Sequence, residues 1–180
     1  MTSPIPGGPP QAQATLHGLQ PGDLGWVVSR HGLLYAQEFG WDMHFEALVA
    51  RIAADYQTRL VPALECAWIA EVNGQPAGCV FVVQARNDTT EQPEPGVAQL
   101  RMLLVEPWAR GRGVGKLLHA ECERFACAAG YRRMRLWTNS MLLAARGIYQ
   151  AAGYRLVASE PHHSFGHDLV GEIWEKDLGH

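Results

Sequence analysis

Residues 99–118 read Gln-Leu-Arg-Met-Leu-Leu-Val-Glu-Pro-Trp-Ala-Arg-Gly-Arg-Gly-Val-Gly-Lys-Leu-Leu. A strand-like apolar run ends at Val105, and Pro107 interrupts it. The turn Arg110-Gly111-Arg112-Gly113-Val114-Gly115 then leads straight into an amphipathic helix. Strand, glycine turn and helix start together make an anion site. The first turn of a helix presents backbone N–H groups with no partner inside the helix, and its dipole adds partial positive charge there. Glycine lets the backbone approach a phosphate with no Cβ in the way. Arg110, Arg112 and Lys116 bring full charges to the same place.

Spacing narrows the ligand. A dinucleotide fingerprint needs Gly-x-Gly-x-x-Gly, and this turn has Gly111-x-Gly113-x-Gly115. A P-loop needs a glycine where Arg110 stands and a hydroxyl residue where Leu117 follows Gly115-Lys116. What remains is Arg110-x-x-Gly113-x-Gly115 after Val105-x-Pro107.

The bulk properties fit a small polyanionic ligand. The 180 residues suit one domain with one sizeable core. An apolar share of 47% and a charged share of 18% are those of a globular protein. The net charge of −3 gives no global basic field for nucleic acid. Basic residues cluster locally, at 101–116 and 132–135. The four cysteines, Cys66, Cys79, Cys122 and Cys127, have no Cys-x-x-Cys spacing and read as free buried thiols. No run approaches the length of a membrane span, and no basic-then-apolar leader opens the chain, so a cytoplasmic protein is expected.

Taken in order, residues 1–19 read as a flexible tail rich in Pro and Gly, and residues 20–180 as the folded domain. Residues 25–30 read as a first strand and 33–38 as a short helix. Asp42 is an N-cap for a helix whose apolar face is Phe45, Leu48, Val49, Ile52, Ala53 and Tyr56. Asn73-Gly74 joins two strands, 66–72 and 77–84, as a hairpin. The strand to Val105 is followed by a helix ending at Gly130. A strand over 133–138, a short helix over 141–150, a strand over 154–158, a histidine-bearing loop over 159–167 and a last strand over 168–178 complete the chain. The fold class expected is α/β (α+β), a mixed and mostly antiparallel sheet flanked by helices.

Two motifs carry a family resemblance. Val105-x-Pro107 with Arg110-x-x-Gly113-x-Gly115 resembles the coenzyme-binding motif of the GNAT (GCN5-related N-acetyltransferase) family. Ala145-x-x-x-Tyr149-x-x-x-Gly153-Tyr154 resembles its later motif, in the right order downstream. The resemblance runs over roughly residues 20–178. A closer likeness, to the acetyltransferase half of bacterial MarR–GNAT fusion proteins, is carried by Trp26, His31-Gly32, Tyr35-Ala36, Glu38, Gly40-Trp41, Leu136-Trp137-Thr138-Asn139 and Pro161-His162-His163-Ser164-Phe165-Gly166. The regulator's DNA binding is not carried over.

The resemblance implies an N-acetyltransferase using acetyl-CoA, with direct transfer to a primary amine of a small molecule or protein. Its coenzyme would be held by Leu103, Leu104, Val105, Arg110, Gly111, Arg112, Gly113, Val114, Gly115, Lys116 and Asn139. Tyr149 is the implied general acid, since a phenol can protonate a departing thiolate at neutral pH. His31, Tyr35, Glu38, Trp41, His162 and His163 would line the acceptor pocket. Gln99 stands where some members have a catalytic glutamate, and glutamine cannot act as a base. Leu142 replaces an asparagine common seven residues before the tyrosine. A non-catalytic acyl-CoA sensor and a regulatory partner module are the alternative readings on the same fold. His162, His163, His167 and Asp168 match no zinc signature, so no metal is expected. No nucleic-acid or membrane partner is expected, and an edge strand at the C-terminus could pair two copies as a homodimer.

Overall fold

The chain was described through a computed structural model covering residues 13–179. The elements are β1 (Thr15–Gly18), α1 (Asp23–Phe39), α2 (Met43–Arg59), β2 (Cys66–Val72), β3 (Gln75–Arg86) and β4 (Pro93–Val105). A 3-10 turn at Pro107–Ala109 leads to α3 (Val114–Ala128), β5 (Arg133–Asn139), α4 (Leu143–Ala151), β6 (Arg155–Ser164) and β7 (His167–Asp177). One sheet holds all seven strands in the order β1-β2-β3-β4-β5-β7-β6. Every pairing is antiparallel except β4 with β5.

The central strands explain why their sequence is apolar throughout. Alternate residues of a strand face opposite sides of the sheet. Trp68, Ala70, Val72, Val80 and Val82 enter a core with Val114, Leu118 and Cys122 of α3. Ala67, Ile69, Cys79 and Phe81 enter a second core with Val27 and Leu34 of α1 and Val49 and Tyr56 of α2. Helices cover both faces, so neither face of β3 is polar.

Several expectations are corrected. Residues 25–30, expected as a strand, lie inside α1. Val27, His31 and Leu34 form its buried stripe, at helical spacing. Tertiary burial overrides the strand preference of Trp26-Val27-Val28 and the low helix propensity of Gly25 and Gly32. Gly32 also has a packing reason, because a Cβ there would meet the Glu46 side chain of α2 at 2.7 Å. The true first strand is Thr15–Gly18, paired with β2 inside the segment expected to be tail. Residues 1–12, the rest of that tail, lie outside the described residues. The histidine-bearing segment 159–167 is no loop. β6 runs through it to Ser164, and a two-residue turn, Phe165-Gly166, leads into β7. That hairpin makes β6 the outer edge, so the C-terminal strand β7 sits inside the sheet. All four cysteines are free, but Cys127 is exposed.

The feature that positions the site is a fork. β4 and β5 pair only from Val97↔Arg133 to Leu100↔Leu136 and then diverge. On its other side β4 bulges. Phe81 faces Arg101 while Cys79 faces Leu104, one residue more on β4 than on β3. Met102 takes a left-handed conformation, φ 59, at that bulge. The bulge turns β4 away from β5 and leaves the backbone of Met102–Val105 without a strand partner on the β5 side. Arg30 of α1 forks onto the buried Glu106 beyond β4, with one bond at 2.8 Å, which fixes the end of the strand against the helix.

Candidate active site

Two cavities meet at the fork. The first, about 570 Å³, lies between Leu103, Leu104 and Val105 of β4, the start of α3, and α4. Arg110, Gly111, Gly113, Val114, Gly115 and Lys116 form its far wall. Gly111 (φ 75) and Gly113 (φ 79) are both left-handed, and a Cβ on either would meet nothing within 4 Å. The glycine turn is therefore an open cradle of backbone, continuous with the free edge of β4. These are the features that hold a pyrophosphate and an extended amide chain. Arg112 stands exposed, outside this wall.

The charges are less available than the sequence suggests. Arg110 donates to both carboxylate oxygens of Glu38, at 3.1 and 2.6 Å, and to the Val105 carbonyl. Glu38, expected on the acceptor side, instead lines the first cavity as the partner of Arg110. Lys116 makes no ion pair among the described residues.

The second cavity, about 350 Å³, lies on the other side of the fork. His31, Tyr35, Trp41 and Phe45 of the α1–α2 region line it, with Gln99 and Arg101 of β4, Thr138 and Asn139 of β5, and Tyr149 of α4. Tyr35, Leu103, Leu142 and Ala145 border both cavities. Asn139, expected on the coenzyme, thus belongs to the second cavity. Its Oδ1 accepts a bond from His162 Nε2 at 2.9 Å. His162 is spent on Asn139 and Ser164, and His163 on Asp168 at 2.7 Å; neither lines a cavity. The extension of β6 carries both histidines along the sheet edge, His162 behind the cavity wall at Asn139 and Trp137.

Two phenols line the second cavity, and one of them, Tyr35, also borders the first. Tyr149 is buried, and burial is the main cause that raises its pKa well above the ordinary tyrosine value. Burial likewise pushes Tyr35 up to about 12. Both stay protonated at neutral pH, so each can give up a proton but cannot act as a base. His31 is buried, and desolvation pushes its pKa down to about 4. Its Nδ1–H donates to the Val27 carbonyl at 2.8 Å, which leaves Nε2 as a lone-pair acceptor on a neutral ring.

Two contacts that frame the site were not legible beforehand. Arg146 ties α4 to the sheet. It donates to the Ser140 carbonyl, lies 3.1 Å from Glu172 and covers the Trp174 ring at 5.7 Å. Arg101 lines the second cavity, and its one signal in the sequence is a charge inside the apolar run Leu100–Val105. Among the described residues no group of His, Cys, Asp and Glu is placed to hold a metal, and no helix is long and apolar enough to cross a membrane.

Comparison with known proteins agrees with this geometry. The model of the acetyltransferase (GNAT) family matches residues 33–154. The chain belongs to that family. Its relatives include N-acetylaspartate synthetase of Danio rerio, 30% identical over 53% of this chain and 32% of that one. An uncharacterized N-acetyltransferase of Schizosaccharomyces pombe is 29% identical over 72% of this chain and 74% of its own length. This chain thus spans about a third of the synthetase relative. Among solved structures, a phosphinothricin acetyltransferase from Sinorhizobium meliloti in complex with acetyl-CoA superposes with a TM-score of 0.72 at 22% identity, covering 92% of this chain and 89% of that one. A putative acetyltransferase from Salmonella typhimurium with acetyl-CoA gives 0.73 at 17%, covering 92% and 94%. These likenesses show the fold. The closer likeness to bacterial regulator fusions draws no support from the eukaryotic relatives named here.

Proposed function

We propose that this chain transfers an acetyl group from acetyl-CoA directly to a primary amine held in the second cavity. The observation that carries the reading is the meeting of the two cavities at the β4–β5 fork, with Tyr35 bordering both and Tyr149 lining the second. In this reading the glycine cradle takes the pyrophosphate. The unpaired edge of β4 takes the amide chain. Acetyl-CoA itself supplies the activated thioester.

The chain's own groups then divide the work. A backbone N–H beside the Met102 bulge donates to the thioester oxygen as negative charge develops on it. The amine nitrogen forms its bond to the acetyl carbon, and the carbon–sulfur bond breaks. The proton shed by the nitrogen passes to water, since Gln99 cannot accept it, Glu38 is held by Arg110, and burial keeps His31 neutral with a pKa of about 4. The departing thiolate takes a proton from Tyr149, which is regained from solvent. No cysteine lines either cavity, so the route has no acyl-enzyme step.

The test is thiol release from acetyl-CoA with a panel of primary amines, checked by mass spectrometry of the amine. Amino acids belong in the panel, because a relative bears the name N-acetylaspartate synthetase. Amine-dependent release is expected. Tight acetyl-CoA binding with no turnover on any amine would instead make the chain an acyl-CoA sensor.

A further inference from the structure

Arg101 stands in the wall of the second cavity, one residue before the bulged Met102, with no anion on it. The other cations of that wall are engaged. Arg135 forks onto Glu94 at 2.7 and 3.1 Å and reaches Glu175 at 2.8 Å. Arg86 donates to the Glu91 carbonyl at 2.8 Å. Arg101 makes no hydrogen bond or ion pair among the described residues. Burial disfavours its charge, and only the more distant carboxylates of Asp55, Asp88 and Glu91 favour it.

A guanidinium that faces a cavity with no carboxylate paired to it, partly screened from water, gains from an incoming anion. Its planar fork matches a carboxylate in particular. The wall beside it is apolar and aromatic, with Trp41, Phe45, Leu48 and Ile52. Along the strand, Arg101 is two residues from Leu103, across the Met102 bulge and beside the place where the thioester would lie. One small molecule can reach both.

We propose that the acceptor is an amino acid with an apolar or aromatic body, its carboxylate forked on Arg101 and its amine facing Tyr149 and the bulge. The inference rests on the acetyl-transfer reading above and names its substrate class. Arg101 makes and breaks no covalent bond. It anchors the acid so that the amine points at the junction.

The experiment uses the full chain at saturating acetyl-CoA and paired acceptors that differ only in the carboxylate. Phenylalanine is set against phenethylamine and phenylalanine amide, and tryptophan against tryptamine. At least one acid should exceed its partners tenfold or more in kcat/KM. In Arg101→Met that ratio should fall at least tenfold through acceptor KM, and Arg101→Lys should restore part of it. Equal use of acids and amines, or a ratio that survives Arg101→Met, overturns the proposal. Calorimetric binding of 3-phenylpropionate to the coenzyme-loaded wild-type chain judges the anchor without turnover, and without a variant that must fold. Binding of the acid but not of 3-phenylpropanol supports the anchor, and equal or absent binding of both overturns it. Absence of turnover on every amine sinks the transfer reading alone, and the calorimetric arm still decides on Arg101.

Discussion

Tyr149 and His31 are second-cavity residues whose chemistry burial changes. Burial holds Tyr149 as a neutral phenol, so it can give a proton and cannot act as a base. Tyr149→Phe should lower kcat at least tenfold, about 1.4 kcal/mol of barrier, with little change in acetyl-CoA affinity. Steady-state thiol release beside coenzyme titration checks this, and an unchanged kcat would move the acid role to Tyr35. His31 makes a claim about stability. Its folded pKa, about 4, lies below the ordinary 6.5, so between these values the unfolded chain binds the extra proton. Its contribution is therefore complete above pH 6.5 and lost as pH falls towards 4, up to roughly 3 kcal/mol. Denaturant melts of wild type and His31→Gln over that range should show the wild type losing more stability on acidification. At this scale the sequence was a partial guide. Motif spacing pointed to Tyr149 and the glycine turn. It could not tell that Glu38 and Arg110 neutralise one another, nor that Arg101 is left alone, because ion pairing is decided by side chains brought together from distant segments.

Elements were legible where local chemistry and tertiary burial agree. Asp42 caps α2 by accepting from the His44 N–H at 2.9 Å, and the Asn73-Gly74 hairpin takes positive φ at both residues. They disagree in α1, where β-branched and glycine residues are held helical by a buried stripe that includes a histidine. They are silent in the outer half of β6, beyond the expected strand at 154–158, where the edge is exposed on both faces through Pro161. The glycine turn before α3 is the agreeing case that bears on function. Gly113 caps α3 with φ 79, a region that costs a residue with a Cβ roughly 1–2 kcal/mol. The same Cβ would project into the open cradle. Gly113→Val should therefore weaken coenzyme A binding at least tenfold, measured by calorimetry on folded protein. Undiminished binding would mean that the turn does not carry the phosphate.

At the scale of the whole molecule, the second cavity's aromatic wall is backed from the far end of the chain. The tip of the β6–β7 hairpin lies on the α1–α2 junction. His167 Nε2 meets the Gly40 carbonyl at 2.9 Å, and the Asp42 N–H donates to the Phe165 carbonyl at 3.2 Å. The Phe165 ring packs on Trp41 at 4.9 Å and on Phe45 at 5.2 Å, and both of those rings are cavity wall. Phe165 also holds a left-handed backbone, φ 56, in the turn before Gly166. A phenylalanine stays in that conformation because its packing offsets the strain. Two substitutions separate these effects. Phe165→Ala removes the ring and keeps the strain, and should cost about 2 kcal/mol, less than a fully buried ring because the site is only half-buried. Phe165→Asn removes the same ring but tolerates the left-handed turn, and should recover up to roughly 1 kcal/mol of that loss. Both should raise acceptor KM severalfold and leave acetyl-CoA KM in place, because the hairpin touches the second cavity and not the first. Thermal melts give the first difference, and kinetics on any accepted amine give the second. If acceptor and coenzyme KM rose together, the hairpin would be supporting the fork as a whole rather than the acceptor wall.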